Sequence, residues 1–119
     1  MNDNQKKYLE QAKIDLDTVI NYTGDLDTYH EILVDFGDNL TNQFQTIKDS
    51  KGDLPNYAIL THALKSNART LGLTLLADIA YKHEMAGKEN NTTFIESDFP
   101  NLENAVNNVK KFIDTYKTL

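Results

Sequence analysis

The sequence predicts an all-α fold built as an antiparallel helical bundle. Three observations carry this: only two Pro and five Gly interrupt 119 residues, apolar residues recur at spacings of three and four, and no strand-turn-strand signal occurs. One domain is expected over 1–119.

A first helical region over about 4–22 carries Leu9, Ala12, Leu16, Val19 and Ile20, ends at Gly24, and is expected to break near Asp17. The second begins after Asp27, an acceptable N-cap, and runs to about Asp49 with Tyr29, Ile32, Leu33, Phe36, Leu40, Phe44 and Ile47 on one face. Lys51-Gly52-Asp53 ends it. Asp53 caps a third helix that tolerates Pro55 in its first turn and reaches Leu71, where Gly72 permits a turn or a close helix contact. A fourth helix, about 74–86, carries Leu75, Leu76, Ile79 and Ala80, and Gly87-Lys-Glu-Asn-Asn-Thr-Thr reads as a polar loop. The last helix runs from about Ser97 or Asp98 to Tyr116 with Phe99, Leu102, Ala105, Val106, Val109, Phe112 and Ile113. Asp15-Leu-Asp-Thr and Asp25-Leu-Asp-Thr are two helix-start signals, since ten residues is too short for a solenoid repeat. The formal sequons at Asn90 and Asn91 belong to the polar loop. Helices joined by such short connections make an antiparallel bundle the default.

Twelve Lys plus Arg against eighteen Asp plus Glu give a net charge of −6, which excludes a protein that neutralises nucleic-acid phosphates over a broad surface. The longest stretch without a charged residue, Leu54–Leu64, falls well short of the ~20 apolar residues a membrane span needs, so no membrane insertion is expected. Met1-Asn-Asp-Asn-Gln-Lys-Lys lacks the apolar core of a secretory signal, and with no Cys in the chain a cytoplasmic location is expected.

On the third helix Leu60, Leu64 and Leu71 fall within about 40° of one another, with Tyr57 and Ala68 beside them. That is the core face. His62 lies roughly 160° from Leu60 and Leu64 and shares its own face with Lys65, Ser66 and Arg69, at offsets of three, four and seven. The segment 54–77 holds no Asp or Glu, while Lys65 and Arg69, the only Arg, give it +2; the rest of the chain carries −8. A surface imidazole beside two cations is suited to receiving a phosphoryl group, because the ring nitrogen attacks and the cations balance the charge of the product. The same arrangement suits static anion binding, and spacing alone leaves both open.

His62-Ala-Leu-Lys-Ser-Asn-Ala-Arg-Thr-Leu-Gly72 resembles the signature of histidine-containing phosphotransfer domains, in which Lys stands at the third position after the His, Gly at the fourth and Gly at the tenth. His62, Lys65 and Gly72 match. Tyr29–Phe36 resembles the family's second helix and Leu75–Glu84 the helix beside the phosphoacceptor. The resemblance implies an up-and-down four-helix bundle preceded by a short helix. It also implies that Glu84, 22 positions after His62, hydrogen-bonds the ring nitrogen that is not phosphorylated, holding the tautomer that frees Nε2. Ser66 departs from the family, which has Gly there for close approach of a partner; slower or more selective docking is expected. The residue before Glu84, more often apolar in the family, is His83 here.

What the resemblance implies is a phosphorelay carrier, not an enzyme on its own and without kinase activity. His62 accepts a phosphoryl group from a receiver-domain aspartyl phosphate, Lys65 offsets charge, and Glu84 orients the ring. Ile59, Ser66, Arg69 and Gly72 form the docking surface. The partners are response-regulator receivers and a hybrid sensor histidine kinase, the carrier is a monomer with no cofactor, and Mg²⁺ belongs to the receiver, whose Asp-rich pocket complements the acid-free segment. Two other readings stand beside it. One is a receiver-binding module of the same ancestry without phosphotransfer; the other is a plain bundle that binds anions at Lys65 and Arg69, with His62 fully exposed and out of contact with Glu84.

His83 falls in the stripe of Leu75, Leu76, Ile79 and Ala80, so a half-buried packing role is expected; His30, beside Glu31, is expected at the surface. No His-Glu-x-x-His or clustered ligand set points to zinc, and no Gly-rich phosphate loop points to ATP.

Overall fold

The computed structural model describes residues 1–119, all of them helices and short turns: α1 Asp3–Gln11, α2 Leu16–Thr23, α3 Leu26–Asp49, α4 Leu54–Thr70, α5 Thr74–Lys88 and α6 Thr92–Lys117. The 26 residues of α6 rise about 39 Å at 1.5 Å each, which accounts for most of the 45 Å long dimension of the molecule. α4 packs on α5, α5 on α6, α6 on α3 and α3 on α4, so the four longest helices close a ring of contacts; α1 lies on α6, and α2 against α3 and α4.

One core of 26 buried residues runs through this ring. α3 supplies Tyr29, Leu33, Phe36, Leu40, Phe44 and Ile47 to it, as its spacing predicts, but Ile32 is turned outward. Each fully buried Leu or Ile of this kind contributes about 1.5–3 kcal/mol relative to exposure. α4 buries Tyr57, Leu64 and Ala68, and Leu71 follows at its end, while Leu60 is only partly buried. In α5 the expectation for Leu75 is overturned: its side chain stands out at 69% exposure, and Leu76, Ile79 and Ala80 carry the contact.

The first helical region breaks earlier than predicted, at Lys13 and not at Asp17. Lys13 adopts φ +61°, its N–H donates to Glu10 O and that of Ile14 to Leu9 O, the two bonds of a Schellman end. Buried Leu9 and Ile14 complete the motif on its apolar side. Asp15 then caps α2 by accepting from Thr18 N–H at 3.1 Å, and Asp25 caps α3 from Thr28 N–H at 2.7 Å. Both Asp-Leu-Asp-Thr repeats are thus helix starts; Asp25, not Asp27, is the cap of α3.

The expected polar loop over 87–93 is mostly helix. α5 continues to Lys88, Asn90 takes φ +55°, and Asn91 caps α6 by accepting from Phe94 N–H at 3.1 Å. α6 therefore begins at Thr92, five residues before Ser97, and runs through Pro100, whose missing N–H removes one helical bond without ending the helix. No helix is long and apolar enough to cross a membrane.

Candidate functional site

α4 and α5 meet at a buried carboxylate. The turn between them uses Gly72 at φ +75°, with Gly72 N–H donating to Arg69 O and Leu73 N–H to Ala68 O. A Cβ on residue 72 would lie 3.0 Å from both Ile14 Cγ2 and Val19 Cγ1, so this turn demands glycine for conformation and for space. Near the other end, Gly87 packs on Ala58 so closely that a Cβ there would sit 3.2 Å from Ala58 Cβ. Gly72 makes the turn and leaves room for Ile14 and Val19, and Gly87 lets α5 approach α4 at Ala58.

Within that contact the Glu84 side chain is 2% exposed. His62 Nδ1 lies 3.0 Å from its Oε2, Lys88 Nζ 2.8 Å from the same oxygen, and Lys65 Nζ 2.7 Å from Oε1. The Lys65 contact is a close ion pair whose angles fall outside hydrogen-bond geometry, so Oε1 is otherwise buried without a donor. Lys65 itself is only 12% exposed and its ammonium lies 5.2 Å from the centre of the Tyr81 ring. Burial by itself raises the Glu84 pKa, but the contacts of Lys65, Lys88 and His62 outweigh it and hold the carboxyl down at about 2. Glu84 is ionised at neutral pH.

That charge state assigns the imidazole. An ionised carboxylate only accepts, so a neutral His62 bonded to it carries its proton on Nδ1 and keeps an unshared pair on Nε2. The ring is 56% exposed and borders an open groove of about 560 Å³ lined also by Pro55, Ala58, Ile59, Lys88 and Asn90. A half-exposed ring nitrogen with a free lone pair, a fixed tautomer and two ammonium groups within one side chain's reach have the chemistry to meet a tetrahedral anion or a transferring phosphoryl group. No group of three or more His, Asp and Glu side chains is placed to hold a metal ion.

Of the residues singled out by sequence, the structure brings His62, Lys65 and Glu84 together. The contact between His62 and Glu84 is the one that the plain anion-binding reading excludes. Ile59 borders the groove with its side chain 66% exposed. Ser66 and Arg69 are exposed on α4, and Arg69, seven residues from His62, stands about 10 Å further along the axis. Gly72 is half-buried at the turn, where its contacts with Ile14 and Val19 give it a structural reason of its own. Lys88 is a member that sequence reasoning missed. The signal was present: Glu84 and Lys88 are an i, i+4 pair in the favourable order.

The other histidines depart from expectation. His83 is not half-buried but wholly buried, with Nδ1 2.7 Å from Tyr57 Oη and Nε2 3.0 Å from Asp98 Oδ2. His30 is partly buried, its Nδ1 2.6 Å from Tyr116 Oη. Comparison of the chain with family models, with curated proteins and with solved structures finds no match.

Proposed function

We propose that the chain is a phosphoryl carrier of the histidine-containing phosphotransfer type, an up-and-down four-helix bundle of α3–α6 with the shorter α1 and α2 before it. The observation that carries the reading is the hold of ionised Glu84 on His62 Nδ1, which leaves Nε2 as the nucleophile on a half-exposed ring. The ring of contacts among α3, α4, α5 and α6 supports the architecture.

In the step proposed, the Nε2 lone pair attacks phosphorus of an aspartyl phosphate on a receiver domain. The N–P bond forms, the P–O bond breaks, and its electron pair leaves with the aspartyl carboxylate. Nδ1 keeps its proton throughout, so the phosphorylated ring is cationic and the Glu84 carboxylate 3.0 Å away stabilises it. Lys65 and Lys88 compensate the phosphoryl oxygens. Transfer to an Asp of a second receiver reverses the same bonds, and no proton has to be found or lost. The acid-free face of α4 suits a partner whose own pocket is acidic.

Incubation with a phosphorylated receiver is expected to move an acid-labile, base-stable phosphate onto the protein. Persistence of that label in His62→Gln sinks the assignment. Tight receiver binding without any label leaves the interaction-module reading in its place.

A further inference from the structure

Residues 83 and 84 are neighbours on α5 that point about 100° apart, one to the core and one to α4. His83 has no solvent exposure and is flanked by Phe94, Phe99 and Tyr57, with ring centres at 5.2, 6.4 and 6.1 Å. An apolar side chain would fill such a place without the cost of desolvating an imidazole. Burial holds the His83 pKa down against the opposing pull of Asp98, and burial pushes the Tyr57 hydroxyl up. What the imidazole gives in return is direction. The Asp98 carboxylate accepts from Nε2–H at 3.0 Å, which leaves Nδ1 to accept from the Tyr57 hydroxyl at 2.7 Å. One ring thus ties α4, α5 and α6 with both nitrogens satisfied in a single tautomer.

Apolar contacts tolerate sliding and rotation of a helix, whereas hydrogen bonds fix distance and angle. Glu84 depends on that rotation, because its carboxylate reaches His62 Nδ1 and Lys65 Nζ only with α5 in one orientation to α4. Tyr57–His83 and His62–Glu84 are two cross-links between the same pair of helices, set on adjacent residues of α5. We propose that His83, pinned between Tyr57 and Asp98, is a positioning residue that fixes the rotation of α5 and so keeps the Glu84 carboxylate against the His62 ring. Its consequence for transfer rests on the phosphoryl-carrier reading; its consequence for the His62 tautomer does not.

The experiment reads the His62 ring nitrogens by long-range ¹H–¹⁵N NMR at neutral pH, in the wild type and in His83→Leu, Tyr57→Phe and His83→Gln. The wild type is expected to show one protonated and one unprotonated His62 nitrogen. In His83→Leu and Tyr57→Phe the two signals move toward a common averaged value although helicity is kept, and His83→Gln, which can both accept and donate, restores part of the separation. Tyr57→Phe removes one oxygen only, so the test survives if His83→Leu does not fold. Transfer should slow about tenfold in the same variants, the scale expected for loss of a group that orients a reacting ligand. An unchanged His62 tautomer in Tyr57→Phe and in any folded His83→Leu overturns the proposal, as does loss of separation in His83→Gln equal to that in Tyr57→Phe. If the tautomer responds but the wild type takes no label, positioning stands and the carrier reading falls; if label is taken and the tautomer does not respond, the reverse holds.

Discussion

Lys65 Nζ stands 2.7 Å from Glu84 Oε1, while His62 and Lys88 take the other oxygen of the same carboxylate. The two ammonium groups therefore have different duties. Lys65 is largely buried and faces an oxygen with no other partner; Lys88 is exposed and shares an oxygen already bonded.

On the phosphoryl-carrier reading proposed above, Lys65→Ala is expected to slow transfer more than it weakens receiver binding. It should also destabilise the fold by about 1–3 kcal/mol, because it leaves a buried carboxylate oxygen unpaired. Lys65→Arg should restore part of both. Stopped-flow transfer rates, receiver titration and denaturant unfolding check this together, and equal losses of rate and affinity would make Lys65 a docking residue only.

Glu84 makes a definite prediction about acid. Its pKa is depressed from an ordinary 4.5 to about 2, so the folded state holds fewer protons than the unfolded one in between. The stabilisation from its contacts is complete above pH 4.5 and is lost as the pH falls toward 2. Thermal unfolding of the wild type and Glu84→Gln should therefore show a gap at pH 5 to 6 that narrows below about pH 4. A gap constant down to pH 2 would mean that the carboxylate charge contributes nothing there.

Gly37 tests the packing of α3 on α6. A Cβ at this position would lie 2.5 Å from Ile113 Cγ2, on a buried β-branched side chain with little freedom to move. Gly37→Ala should gain roughly 1 kcal/mol of helix propensity, yet overpacking costs about 1–3 kcal/mol. A thermal midpoint lowered by a few degrees is expected, and Gly37→Ala should bring no such loss when it is added to Ile113→Ala and compared with that single variant. A rise in midpoint for Gly37→Ala alone would show that α6 moves aside.

Much of the site was legible because it is written in offsets. His62 and Lys65 sit one helical turn apart, whereas the place of Glu84, 22 residues on and beyond the turn at Gly72, was implied by the family resemblance and not by periodicity. His83 was harder. Its apolar stripe foretold burial, but its partner Asp98 belongs to the first two turns of a helix whose start was hidden by Asn-Asn-Thr-Thr and by Pro100, which reads as a first-turn residue. The break at Lys13 had no glycine to announce it, since the left-handed residue is a lysine and the motif is held by backbone bonds and by Leu9 and Ile14. Leu75 misled for a different reason: Leu73, Leu75 and Leu76 crowd one helix start, and hydrophobicity alone does not say which of them faces out.

Every group that touches the Glu84 carboxylate comes from residues 62 to 88, two successive helices joined at the left-handed Gly72. The consequence is kinetic. Such contacts close short loops, so little chain entropy opposes them, and this helical hairpin can dock early in folding, before the distant pairing of α3 with α6. The pin through His83 to Asp98 is shorter still in sequence, 15 residues against the 22 between His62 and Glu84, so it brings α6 into the same local unit. The Glu84 contacts and the pin beside them thus belong to one locally assembled unit of α4, α5 and α6, and the distant pairing is the docking of α3.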